Sequence, residues 1–413
     1  MEHYITEIRI DELRHLSNVK IELNRDKRTN LLLTGKNGSG KTTVLNALKN
    51  YLKVINDRNL ENLEVWFPRA VDDALAMMEN AKTESQRFGA EDNYHMYLQM
   101  IENYKQGLTV TFNEKDGLEG LYQRGKFLTA FYGANREISI TKPEGVENVV
   151  LDASYSLDDN PGAILLKYLT HLKTQQLYAV TENDLDTKRM LDVWFERFVK
   201  ALRVLLDNPH IELKYDYKSY DFKIIESEQK CFGFDQLSDG HSAALQILAD
   251  LIMRMEQNWL RKGCLSVYDT EGIVLIDELE THLHISLQKK ILPFLTEFFP
   301  NIQFIVATHS PYILNSIDNC VIYDLENHIR MEDMSGYSAE GIVEGYFGQE
   351  SYSERLLERV RRYKELVEIK NPSDDERAER AKILVEMKQV SGDLAREARE
   401  AFEEIEDRRK HHD

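Results

Sequence analysis

Two kinds of apolar pattern alternate along the chain. Short continuous runs, Leu31-Leu32-Leu33, Ile273-Val274-Leu275-Ile276 and Ile302-Gln303-Phe304-Ile305-Val306-Ala307, are bounded by polar or small residues. They read as strands of a sheet covered on both faces. Elsewhere the period is two. Ile8 and Ile10, then Val19, Ile21 and Leu23, alternate with polar residues across positions 4–24 and predict two half-buried strands around a turn, leading into the first apolar run. Leu108–Phe112 and Phe127–Tyr132 resume strand character, and both are expected to re-enter the core sheet.

Between these strands the spacing becomes helical. Val71, Leu75, Met78, Met96, Met100 and Ile101 mark one set of apolar faces, and Leu165, Leu169, Leu172, Leu191, Trp194, Phe198, Leu202 and Leu205 another. They predict helical lobes inserted at about 55–106 and 155–210. The last stretch is charged and helical, with Ile383, Met387, Val390, Leu394, Ala401 and Ile405 on one stripe. The expected organisation is a head over 1–345 and a helical tail over 346–413, the tail packing on the chain's own body or meeting a partner or second copy.

The strand ends carry the chemistry. The first run leads into Gly35-Lys36-Asn37-Gly38-Ser39-Gly40-Lys41-Thr42-Thr43, which opens a helix through Leu45, Leu48 and Leu52. Glycines in that spacing fold the backbone into a nest of N–H donors, and the helix adds its positive end, so this is a phosphate-binding loop. ATP or GTP is expected there, with Lys41 on the β- and γ-phosphates and Thr42 on Mg²⁺. The second run delivers Asp277 and Glu278 to a carboxyl edge of the sheet, where ligands of open α/β sheets gather. Asp277 is expected to hold Mg²⁺ and Glu278 to deprotonate the attacking water. The third run ends at Thr308-His309-Ser310-Pro311, where His309 can donate to the γ-phosphate as charge develops.

Composition narrows the partners. The chain has 413 residues and a formal charge of −19, which opposes a generally nucleic-acid-adhesive surface but leaves a local groove open. Cys231, Cys264 and Cys320 are odd in number and lack a CxxC spacing, so neither disulfides nor a zinc site is indicated. His282 and His284 read as loop packing rather than metal ligands. With no leader-like start and no run of membrane-spanning length, the expectation is a cytoplasmic protein without a membrane anchor.

Gly35–Thr42, Leu237-Ser238-Asp239-Gly240-His241, Ile276-Asp277-Glu278-Leu279-Glu280-Thr281-His282-Leu283-His284 and Ala307-Thr308-His309-Ser310-Pro311 resemble the Walker A, signature, Walker B with D-loop, and switch-histidine motifs of SMC-like ABC ATPases. Within that group the D-loop and the end of the strand at Phe131-Tyr132-Gly133-Ala134-Asn135-Arg136 are similar to compact ATPases of anti-phage operons: Septu and retron ATPases, the PARIS ATPase and the overcoming-lysogenisation nucleases. The resemblance implies an α/β P-loop head with Lys41, Glu278 and His309 as catalytic residues. It implies a homodimer, or a higher even-numbered oligomer, in which Ser238, Asp239 and Gly240 act in trans on the partner's γ-phosphate, and a Q-loop near Asn135 and Arg136. A separately encoded nuclease of HNH or TOPRIM type is the implied partner.

The pattern also departs from the group. Asp239 replaces a common glycine, Leu279 and Ile285 stand where proline is frequent, and the Q-loop glutamine is missing. Long heptad arms are absent, and the residues after His309 hold no recognisable TOPRIM domain. Two alternatives stay open at this point: a RecF-like repair ATPase on duplex DNA, and a scaffold that ATP stabilises without being hydrolysed.

Overall fold

The computed structural model describes residues 2–136, 140–227, 230–261, 268–332, 334–339, 341–342, 361–367, 369 and 373–389. Two compact units divide at Gly336 and Tyr337. The first is built on a six-stranded sheet of β5 (Phe127–Tyr132), β9 (Glu271–Asp277), β10 (Ile302–Ala307), β3 (Asn30–Thr34), β11 (Cys320–Asp324) and β12 (Ile329–Glu332), whose spatial order is β12-β11-β3-β10-β9-β5. All neighbours are parallel except the β11–β12 edge pair. The three continuous apolar runs are its central strands, and β3, β9 and β10 are almost wholly buried, as double-sided cover requires.

The register aligns the strand ends. Leu33 and Asp277 both pair with Ala307, Ile276 pairs with Tyr132, and Thr34 pairs with Asp324. One edge of the sheet therefore presents the residues that follow Thr34, Asp277, Ala307, Tyr132 and Asp324.

A second sheet, β2-β1-β4, joins β1 (Ile5–Leu13), β2 (Leu16–Glu22) and β4 (Leu108–Phe112) antiparallel. This corrects the expectation for Leu108–Phe112, which pairs with β1 instead of re-entering the core sheet. The reason lies in its own pattern: Leu108, Val110 and Phe112 are buried while Thr109 and Thr111 are not, which suits a sheet with one wet face. Gln303 of β10 fastens the two sheets. Its buried amide accepts from Ile5 N at 2.8 Å and donates to Ile5 O and Thr29 O at 3.0 and 2.8 Å.

Helix α1 (Lys41–Asn56) packs its Val44, Leu45, Leu48, Leu52 and Ile55 face into the same core as β1, β3 and β4. After α1, α2 (Phe67–Glu79) and α3 (Glu84–Lys105) pair as one helical lobe. Thr83 caps α3 by accepting from Gln86 N. The short α4 (Leu118–Gln123) precedes β5. The second lobe is α5 (Leu165–Thr181) with α6 (Leu185–Leu205), centred on Tyr168, Trp194 and Phe198, whose rings stack or meet edge to face. An antiparallel sheet, β6-β7-β8 (Glu212–Asp216, Asp221–Ser227, Lys230–Gly233), then leads to α7 (Asp239–Arg261). Helices α8 (Ile285–Phe298) and α9 (Pro311–Leu314) follow β9 and β10.

In the second unit, residues 361–367 and Asp374–Gln389 are helical, and Tyr363, Leu366 and Ile383 are buried. Arg362 bridges Glu365 and Glu379 at 3.1 and 2.9 Å. Of the expected tail stripe, Val390, Leu394, Ala401 and Ile405 lie outside the described residues, as does the side chain of Met387. Among the described residues no helix is long and apolar enough to cross a membrane.

Candidate nucleotide site

The loop between β3 and α1 is a nest built on positive φ. Gly35, Gly38 and Gly40 sit at φ 129, 85 and 101°, where a side chain would be strained. A side chain would also crowd its neighbours: a Cβ on Gly40 would lie 2.9 Å from Leu16 Cδ1, and one on Gly35 would lie 2.8 Å from Ser39 Oγ, so those side chains would have to shift. Gly40 is the residue before the first turn of α1, so the free amides of that turn, from Lys41 to Thr43, open on the concave side. Lys36, Asn37 and Gly38 are exposed, whereas Lys41 is buried. The Lys41 ammonium folds back onto Gly35 O at 2.7 Å and Lys36 O at 3.1 Å. Burial pulls its pKa down, opposed by the nearby carboxylates of Glu280, Glu278 and Asp277.

Asp277 ends β9 beside this loop and is buried. Burial, more than any neighbouring charge, raises its carboxyl pKa, and the Thr42 side chain bonds to it. Among the described residues its Oδ1 has no hydrogen-bond partner, nor does the buried Ser39 Oγ in the loop. A buried carboxylate oxygen without a donor is costly unless a cation completes it. Asp277 and Thr42 thus fit the two protein ligands of a Mg²⁺ ion, a hard cation that prefers oxygen.

Glu278 follows at φ 47°, the left-handed region that a non-glycine residue seldom occupies. Its backbone is held there from two sides. Thr281 N donates to Glu278 O at 3.0 Å, and Arg136 Nη2 donates to the same oxygen at 2.7 Å. Arg136 Nη1 also donates to Asp277 O at 2.8 Å and Gly133 O at 3.1 Å. This arginine, just past the end of β5 in the stretch expected to form a Q-loop, clamps the carbonyls of Asp277 and Glu278 with its side chain, while Asn135 beside it is exposed. The Glu278 carboxylate is half-buried and accepts from Thr281 Oγ1 at 3.1 Å.

Glu280, two residues past Glu278, organises the end of β10. Its buried carboxylate accepts from Thr308 Oγ1 at 2.8 Å and His309 N at 2.7 Å, and meets His309 Nδ1 at 3.0 Å. A carboxylate only accepts, so Nδ1 carries the proton and Nε2 of the half-exposed imidazole is left for a ligand. No feature of sequence spacing marked Glu280 apart from Glu278; only its distance to β10 does.

The signature residues lie at the start of α7. Ser238 and Asp239 are exposed at the start of α7, whereas Gly240 is buried against the D-loop, where a Cβ would lie 2.3 Å from His282 O. His284 caps α8 by accepting from Ser286 N, and His282 is exposed at φ 64°. Arg136, Asp239, Ser242, His282, Leu166 and Phe234 line a cleft of about 510 Å³.

A parallel sheet whose carboxyl edge carries a phosphate nest, a desolvated Asp277 and a histidine held by Glu280 has the architecture of a P-loop nucleotide-binding fold. Comparison with known proteins narrows the class. The chain is 27% identical over 396 residues to the "Septu protein PtuA" of Bacillus mycoides, covering 91% of this chain and 49% of that one. It is 30% identical over 234 residues to the "Retron Ec83 probable ATPase" of Escherichia coli, covering 53% and 43%. The chain is thus similar to these Septu and retron proteins and spans about half the length of both. Residues 175–315 match the family model described as "AAA domain, putative AbiEii toxin, Type IV TA system". A solved SMC head bound to the C-winged helix domain of ScpA covers 81% of this chain and 99% of its own, at 13% identity and a TM-score of 0.39.

Proposed function

We propose that the chain binds ATP with Mg²⁺ and hydrolyses it between two copies, and that this cycle controls a separately encoded nuclease effector of an anti-phage system. The observation that carries the catalytic part is the convergence at one sheet edge of the glycine nest, the partnerless Asp277 Oδ1 and the Glu280–His309 pair. The nest and Lys41 would hold the β- and γ-phosphates, Lys41 exchanging the loop carbonyls for phosphate oxygens. Mg²⁺, when bound by Thr42 and Asp277, would neutralise phosphate charge. Glu278 would take the proton of the attacking water, and His309 Nε2 would donate to the γ-phosphate as the imidazolium that Glu280 stabilises. Ser238 and Asp239 are exposed and Gly240 packs on the D-loop, which suits action on a nucleotide held by a second copy.

The effector part rests on the similarity to the Septu and retron ATPases. Two measurements test the reading. Glu278→Gln should trap an ATP-bound dimer by removing the base while keeping the shape, and phosphate release at the wild-type rate would remove Glu278 from that role. Native mass determination of the complex, expressed with its neighbouring genes, should find a nuclease with an even number of ATPase chains. A chain that elutes alone and dimerises only with ATP would move the assignment to a repair-type ATPase.

A further inference from the structure

Ser238 and His241 form a hydrogen-bonded pair at the start of α7 that no step above uses. Ser238 Oγ lies 2.9 Å from His241 Nδ1 and 3.5 Å from His241 N. The backbone amide can only donate, so the serine's lone pair faces the helix as its cap. If Nδ1 carries no proton, the serine hydroxyl must donate to it. A hydroxyl has one proton. Spent on the imidazole, it cannot also be given to a phosphate oxygen.

We propose that His241 is a positioning residue that sets the direction of the Ser238 hydroxyl, and so decides whether the signature can donate to the γ-phosphate held by a second copy. With Nδ1 protonated, the imidazole donates to Ser238 Oγ and the hydroxyl proton turns outward to the phosphate. With Nδ1 bare, the hydroxyl points inward and the phosphate meets only its lone pairs. The proposal rests on the two-headed reading above and adds the device that gates it.

The surroundings allow the switch. The pair lines a cleft of about 390 Å³ with Leu206, Asn208, Cys231 and Phe232, so solvent protons reach it. The charged groups facing it are already paired: Asp207, beyond α6, with Lys290 of α8, and Glu226 of β7 with Lys230 of β8. Burial lowers the His241 pKa, and Asp207 opposes this more weakly. The imidazole is therefore mainly neutral near pH 7; its Nδ1–H tautomer can donate to Ser238, but the imidazolium always does and adds a positive charge, so a γ-phosphate brought to Ser238 would favour protonation. The sign follows: closure takes up a proton, is strongest at low pH and weakens as pH rises through the His241 pKa of the closed state.

The test uses the full chain carrying Glu278→Gln, with ATP and Mg²⁺, and measures the dimer dissociation constant by sedimentation from pH 5.5 to 8.5. The dimer should tighten about tenfold or more towards low pH, the span of one charge-assisted hydrogen bond per site. Adding His241→Gln should flatten the profile, because its amide can donate to Ser238 at every pH, and should leave closure strong at pH 8. Adding Ser238→Ala should weaken closure at all pH values and also flatten it. His309 and the nucleotide's own titration are common to all three proteins and cancel in the comparison. A profile that His241→Gln leaves unchanged overturns the proposal alone. Absence of any ATP-driven dimer in the Glu278→Gln parent overturns the two-headed reading together with it.

Discussion

Glu280→Gln isolates what a single charge contributes to the histidine at the sheet edge. The substitution keeps the volume and one acceptor oxygen, so a bond from His309 Nδ1 can survive, but it removes the negative charge 3.0 Å from that nitrogen. Two unit charges about 4 Å apart attract by about 4 kcal/mol at an effective dielectric near 20. The imidazole is half-exposed, so solvent screens the pair, and the useful part is at most that of a hydrogen bond between charged groups, about 1.5 to 3 kcal/mol. The loss falls on the imidazolium, which is the form that donates from Nε2, and hence on the transition state more than on bound ATP. Turnover should drop about tenfold to a hundredfold, at about 1.4 kcal/mol per factor of ten, while the affinity for a fluorescent ATP analogue stays within about twofold. Phosphate release by a coupled assay gives the first number and equilibrium titration the second, with a thermal melt to check the buried bond to Thr308. Unchanged turnover in a folded variant would refute the role given to Glu280. An equal fall in affinity and turnover would mean that it shapes the loop rather than the reaction.

Arg136→Lys should cost about 1 to 3 kcal/mol of stability in a urea titration, because an ammonium cannot span the carbonyls of Gly133, Asp277 and Glu278 that the guanidinium fork reaches. It should lower turnover more than ATP affinity. Gly240→Ala should lower the melting temperature and abolish ATP-driven closure, since its Cβ would sit 2.3 Å from His282 O. Glu256, fully buried on α7, accepts from Tyr168 at 2.8 Å and Tyr268 at 3.1 Å, and burial pushes its pKa up to about 7. The native state then keeps a proton that the unfolded chain releases near its ordinary pKa, so stability should fall as pH rises from about 4.5 to 7, by about 3 kcal/mol in all. Glu256→Gln should remove that slope in denaturant titrations at pH 5.5 and 8.

The residues that meet at the sheet edge were legible in sequence wherever chain-local pattern sets position. A continuous apolar run makes a buried strand, and the residue after it then stands at the edge; Thr34, Asp277 and Thr308 follow from that rule alone. The pairing of β4 was not read, although its alternation of apolar residues and threonines held the signal, because strand character does not name a partner. Arg136 and Glu280 were harder for a different reason. Arg136 acts on carbonyls 141 and 142 residues away, and Glu280 on an amide 29 residues away. Side-chain direction across a sheet is set by packing, and no local spacing encodes it.

The same long-range bonds join the two functional surfaces of one head. Arg254, buried on α7, bonds Asp250 at 2.7 Å and donates to Thr129 O of β5 at 3.1 Å, and to the carbonyls of Ser156 and Asp159 at 2.9 and 2.5 Å. Asp250 in turn accepts from Tyr132 OH, at the end of β5, at 2.6 Å. From Tyr132 the chain runs through Gly133 to Arg136, whose guanidinium grips Asp277 and Glu278. A buried ion pair of this kind adds little net stability, since desolvation offsets its attraction, but breaking it exposes charges that nothing else satisfies. The helix that begins at Ser238 is therefore fixed to the strand whose end fixes Glu278. Motion of the signature relative to its own Walker B carboxylates would break several buried bonds at once, whereas rotation of the head as a unit breaks none of them. On the two-headed reading proposed above, ATP-dependent change would then fall between heads, at the exposed Ser238, Asp239 and His309, rather than within one.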